Sequence, residues 1–137
     1  MRLSFLAPPG IQSRSMKYLF ALAALIAFSM STIAADGPVY HVVHFKFKAD
    51  AKKEEVEKVV TAFAGLKEKI PFVLTMLHGT NSSPEGLSKG FTHCWIVTFK
   101  NTTDRDAYLV HPAHAAFVEV LKPYLEEPMV VDFIEAK

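Results

Sequence analysis

The stretch "VYHVVHFKFK", Val39–Lys48, is rich in β-branched and aromatic residues and alternates with a period of two. His41, Val43, Phe45 and Phe47 share one side; Tyr40, Val42, His44, Lys46 and Lys48 share the other. That pattern reads as a β-strand, because successive side chains of a strand point to opposite faces. The first face is apolar behind its histidine. The second is apolar at its start and charged towards its end. A strand with two apolar sides needs cover on both.

The segment that follows supplies one cover. Asp50 is placed to cap a helix, since a carboxylate accepts the free backbone N–H groups at a helix start. From Ala51 to about Lys69, Val56, Val59, Val60, Phe63, Leu66 and Ile70 recur in steps of three and four, which makes one apolar stripe. Pro71 stops it. "FVLTMLHGTN", Phe72–Asn81, reads as a second strand and runs into the polar loop "SSPEGLSKG". A third strand, "FTHCWIVTFK" at Phe91–Lys100, alternates Phe91, His93, Trp95, Val97 and Phe99 against Thr92, Cys94, Ile96 and Thr98. "TTDRDAYLV" opens a second helix, with Thr103 and Asp106 at capping-box spacing. Pro112 interrupts it, Ala113–Leu125 resumes it, and Pro123 bends or ends it. "PMVVDFIEA" closes the chain as a fourth strand.

The order β-α-β-β-α-β gives an α+β, ferredoxin-like fold: a four-stranded antiparallel sheet with its helices on one face. One layer of helices leaves the other face, with Val42 and Ile96, uncovered. A contiguous apolar sheet face marks an association surface. The expectation is a homodimer in which two sheets close into an α+β barrel.

Residues 1–35 stand apart from this domain, which spans 36–137. Tyr18–Ala35 is an uncharged apolar run that follows Lys17 and ends in "STIAADG". Basic start, apolar middle and small-residue end are the layout of a secretory signal peptide, cut after Ala34 or Ala35. Met16 is its natural start, with the first 15 residues an extension. A membrane anchor needs roughly 20 apolar residues; this run is shorter and lacks a basic stop-transfer cluster. The expected destination is secreted or periplasmic, with no membrane attachment after cleavage.

Arg2, Arg14 and Lys17 fall outside the domain, so 12 of the 15 basic residues remain against all 14 acidic ones, a balance of −2. Nucleic acid requires clustered Lys and Arg, and none are present. Cys94 is the single cysteine, so no internal disulfide can form, and its place in a strand reads as an inert thiol.

Six histidines carry what chemistry there is. His41 and His93 each begin a strand on its apolar face. If the first and third strands are neighbours, the two can approach beneath the second helix, which brings Tyr108 and His114. Together with Trp95 these residues describe a small-molecule pocket. An imidazole near its reference pKa of about 6.5 can take or give a proton at neutral pH. His114 then reads as a general base and Tyr108 as a hydrogen-bond donor to a substrate carbonyl. The bland alternative is packing: His111 and His114 flank Pro112, where an imidazole serves a helix end. A metal is disfavoured, because His-Pro-x-His lacks the i,i+4 spacing of helical ligand pairs and no carboxylate accompanies it. No cofactor is indicated.

In order and spacing, "HVVHFKFK", "GTNSS", "GFTHCWIVTF", "AYLVHPAHAAF" and the late aspartate of "VVDF" resemble the stress-responsive A/B barrel (Dabb) family. The resemblance spans nearly all of residues 36–137 and implies the dimeric α+β barrel. One branch of that family cyclises polyketides, using the tyrosine and last histidine of Tyr-x-x-His-Pro-x-His; these match Tyr108 and His114. Its pocket histidines match His41 and His93. The resemblance therefore implies either a small hydrophobic ligand bound without chemistry or a cyclase- or monooxygenase-like acid–base enzyme.

Overall fold

The computed structural model describes residues 37–136; the signal-peptide reading of residues 1–35 lies outside them. Four strands are formed: β1 Val39–Phe47, β2 Thr75–Thr80, β3 His93–Phe99 and β4 Leu125–Ile134. Four helical pieces accompany them: α1 Lys53–Ala64, α2 Leu66–Lys69, α3 Thr102–Leu109 and α4 Pro112–Leu121. The sheet order is β2-β3-β1-β4 and every neighbouring pair is antiparallel. This is the expected β-α-β-β-α-β arrangement, with each helical segment in two pieces.

The first break falls at Gly65, a residue that costs a helix about 1 kcal/mol relative to Ala. The stripe nevertheless continues across it, since Val59, Phe63, Leu66 and Ile70 are all buried. The second break falls at Pro112, which takes the first position of α4, where its missing N–H is not needed. Two expected caps are corrected. The α1 cap is Lys52, not Asp50, and the Glu55 carboxylate accepts its backbone N–H at 2.8 Å. The α3 cap is Asn101, not Thr103: its side-chain oxygen accepts the Asp104 N–H at 2.8 Å, because the helix begins two residues earlier than the capping-box spacing implied.

One sheet face packs on the helices through Val39, Val43, Phe45, Trp95, Val97 and Phe99, against Val59, Phe63, Phe117 and Leu121. On the other face, Leu77, Ile96, Val42 and Val131 form a straight row across all four strands. Leu77 is 66% exposed, Val131 51% and Phe133 48%. Tyr40 and Phe133 stack beside that row, with ring centroids 4.9 Å apart. Leaving this much apolar surface wet is unfavourable by about 25 cal/mol per Å2.

The loop 81–92 is tied back to the sheet. The stem of Lys46 lies over Gly90, and its ammonium reaches Glu126 at 2.6 Å. Gly90 adopts φ 86°, a conformation that only glycine takes readily.

Candidate functional site

The β1–β3 register decides which histidines can cooperate. His41 lies opposite Val97 and His93 lies opposite Phe45. Four residues of strand, about 13 Å, separate the two rows. The expected approach of His41 to His93 is therefore wrong, for a simple reason. Both residues begin their strands, and antiparallel pairing sends strand starts to opposite ends of the pair.

His41 instead anchors a polar chain at one end of the sheet. It is buried, and its Nδ1 lies 2.6 Å from an Asp132 oxygen directly across β4. The other Asp132 oxygen accepts from the Arg105 guanidinium, delivered by α3. Arg105 also donates from Nε to Asp106 at 2.7 Å. Its pKa is raised by the hydrogen bonds to Asp106 and then Asp132, so the guanidinium is a fixed charge.

Tyr108, also on α3, packs its ring 5.9 Å from that of His41 and 4.9 Å from that of Phe99. His114 on α4 completes the group, with its ring 4.7 Å from Tyr108. Burial lowers the His114 pKa, the neighbouring His41 lowers it further, and a backbone hydrogen bond at Leu109 partly opposes them. Burial also pushes the Tyr108 phenol well above its ordinary range. At neutral pH the pair is thus a neutral imidazole against a neutral phenol, able to accept and to donate a proton respectively. His111 stands apart from this pair. It caps α4, with Nδ1 accepting the Ala113 N–H at 3.1 Å. A structural role at this helix junction is what the sequence suggested for His111.

His93 belongs to the opposite end. Its ring is stacked with Trp95 at 5.9 Å, and the ring of His78, from β2, is stacked with Trp95 at 6.2 Å. Burial lowers the His93 pKa, and the nearby His78 lowers it further. A groove of about 750 Å3 opens here, lined by Val56, Val60 and Thr61 of α1 and by His78, Thr80 and His93 of the sheet, with Lys53 and Glu57 at its rim. A second groove of about 570 Å3 shares His78, Thr80 and His93 but lies along the outer face, against His44, Cys94, Phe91 and Met129. Neither groove is lined by His41, Tyr108 or His114. Between the two ends, Phe45, Phe63, Trp95 and Phe117 form a packed aromatic block, with Phe63 4.8 Å from Trp95 and 4.6 Å from Phe117.

Trp95 was expected as a ligand-contacting wall; it is fully buried in that block. Its Nε1 is, among the described residues, the one buried side-chain polar atom with no hydrogen-bond partner. Leaving such a donor unpaired costs about 1–3 kcal/mol. No group of three or more His, Cys, Asp or Glu side chains among the described residues is arranged to hold a metal ion. Cys94 is half-buried and burial raises its pKa, as suits an unreactive thiol.

Arg105 and His78 were not singled out from the sequence. Alternation in "FVLTMLHGTN" sets His78 with Met76 and Thr80, but nothing in that strand says which set faces the helices. Asp132 carried a stronger signal, as a lone charge inside "MVVDFI". Arg105 carried none, because "TDRD" reads as an ordinary solvated helix start.

Fold and site together define a ferredoxin-like α+β protein with a buried Tyr108 against a half-buried His114 at one end and an imidazole-floored groove at the other. Residues 39–135 match the family model of the Stress responsive A/B Barrel Domain, and the chain belongs to that family, Dabb. It is 31% identical over 99 residues to the stress-response A/B barrel domain-containing protein HS1 of Arabidopsis thaliana, covering 72% of this chain and 91% of that one. It is 26% identical over 99 residues to the olivetolic acid cyclase of Cannabis sativa, covering 72% and 98%. Among solved structures, a dimeric ferredoxin-like protein of unknown function from Bacteroides fragilis superposes with a TM-score of 0.60 at 28% identity, covering 72% and 97%.

Proposed function

We propose that this chain is an exported Dabb protein that pairs with a second copy through its outer sheet face and binds a small, largely apolar molecule. The binding place is the groove between α1 and the β2–β3 edge. The observation that carries this reading is the groove itself. Its volume falls within the roughly 300–1,000 Å3 usual for small-molecule sites. Valines supply apolar contact, while His78, His93, Thr61 and Thr80 offer a few oriented polar groups. Pairing is supported by the exposed row Leu77–Ile96–Val42–Val131 and by the dimeric state of the Bacteroides fragilis relative. Export is supported by the residue pattern of 1–35. The test is thermal stabilisation of the full chain by a set of small oxygenated aromatics and short fatty acids; no stabilisation by any of them contradicts the reading.

A second reading has its own support. The neutral His114 imidazole against Tyr108 is an acid–base pair, and the similarity to a relative named as a cyclase supports an enzymatic reading. In this reading His114 takes a proton from an activated carbon while Tyr108 donates to the carbonyl oxygen, as an intramolecular condensation requires. Turnover of a linear polyketide that is lost in both His114→Ala and Tyr108→Phe supports it; turnover retained in both removes it.

A further inference from the structure

The outer sheet face carries a second row, two residues along the strands from Leu77–Ile96–Val42–Val131. In it, His44 on β1 lies directly opposite both Cys94 on β3 and Met129 on β4. Directly paired residues of an antiparallel ladder point to the same face, with Cβ atoms about 4.5–5.5 Å apart. Imidazole, thiol and thioether thus stand side by side across three strands. All three line the outer groove. Beyond Cys94 the row ends at Gly79, where an added Cβ would meet nothing within 4 Å, so open space adjoins the thiol.

The separation of the first two groups suits a shared ion better than a direct bond. Cys94 Sγ lies 4.0 Å from His44 Nε2. A thiol is a weak donor, and at that distance the contact holds neither group firmly. Bonds of about 2.3 Å to sulfur and about 2.0 Å to nitrogen would set an ion between them at an angle of roughly 135°. That is wider than a tetrahedral site and leaves room for a third ligand. Met129 is 41% exposed and adjoins the imidazole from the side opposite Cys94. Its unbranched side chain turns about three bonds, so the thioether can reach the same point.

We propose that His44, Cys94 and Met129 form a three-coordinate site for a soft monovalent metal ion of the Cu(I) class. Thiolate and thioether donors select Cu(I), whereas Mg2+, Ca2+ and Mn2+ need oxygen donors, which the side chains of this row lack. Zinc prefers four ligands, and the fourth residue of the row is a glycine. The thioether completes the set, since His, Cys and carboxylates alone form no metal site among the described residues. On binding, the Cys94 proton leaves to solvent as the metal–sulfur bond forms, and the ion keeps its oxidation state. Burial raises the Cys94 pKa, so the free thiol stays protonated and unreactive until a soft ion replaces the proton. All three ligands come from one chain, so the site stands independently of both functional readings above.

The test supplies Cu(I) anaerobically to the full chain in competition with the chelator bathocuproine disulfonate. One ion per chain is expected to leave the chelator, and X-ray absorption at the copper edge is expected to show both sulfur and nitrogen neighbours. Removing a residue that merely supports a metal ligand costs about 10–100-fold in affinity. Cys94→Ser is therefore expected to weaken binding about 100-fold, and His44→Phe and Met129→Leu about tenfold each. Copper that stays entirely with the chelator overturns the proposal. So does copper held at wild-type affinity in both His44→Phe and Met129→Leu, since the thiol alone would then account for it. The copper neighbours are read on the wild type, and Met129→Leu keeps an apolar side chain of similar size. A poorly folding Cys94→Ser therefore does not rescue the site.

Discussion

His41 and Asp132 face each other directly across the β1–β4 ladder, with Nδ1 and a carboxylate oxygen 2.6 Å apart. Asp132 thereby joins a buried imidazole on one side to the Arg105 guanidinium on the other. A carboxylate holding two partners in a partly buried setting is costly to remove, because both partners lose their acceptor. Asp132→Ala is expected to destabilise the fold by about 2 kcal/mol in urea unfolding. Asp106→Ala, which removes a more exposed partner of the same arginine, is expected to cost under about 1 kcal/mol.

The caps make a sharper comparison. Asn101→Ala removes the acceptor for the Asp104 N–H and should cost about 1 kcal/mol. Thr103→Ala should lie within about 0.5 kcal/mol of wild type, as ordinary surface substitutions do. His111→Ala takes away the α4 cap and should also cost about 1 kcal/mol while leaving ligand affinity unchanged. Equal losses for Asn101 and Thr103 in chemical denaturation would return the capping box to Thr103.

Stability should depend on two histidines near neutral pH. His114 and His93 both have pKa values below the ordinary 6.5. The unfolded chain therefore takes up protons at these positions before the folded one does. Stability is highest above about pH 6.5 and falls as pH drops through that value towards the folded pKa. Urea midpoints between pH 7.5 and pH 5 should fall less in His114→Gln or His93→Gln than in wild type. An unchanged slope in both variants would contradict the assigned burial.

The outer face predicts assembly. Val131→Asp places a charge at the β4 end of the row Leu77–Ile96–Val42–Val131. Light scattering should give a dimer for the wild type and a folded monomer for this variant. A monomeric wild type would contradict the pairing.

Periodicity made the fold legible. The period of two in "VYHVVHFKFK" and the steps of three and four over Val56–Ile70 each describe one element and its buried side. The two-sided apolar strand also implied the uncovered face. The interruption at Pro112 was legible, whereas the break at Gly65 was not, because the apolar stripe runs on across it. The site was less legible, because it depends on register. Knowing that His41 and His93 face the helices does not say that their strand starts lie at opposite ends. Nor could any local pattern bring Arg105 to Asp132, 27 residues later. Tyr108 and His114 fared better because one short helical hairpin carries both.

The most direct test of the ligand-binding account is thermal shift on wild type, His93→Ala and His114→Ala with the same small oxygenated aromatics and fatty acids. The account predicts a compound that raises Tm in wild type and His114→Ala but not in His93→Ala, because the groove is floored by His93 and does not touch His114. A compound whose effect needs His114 and is indifferent to His93 would contradict it.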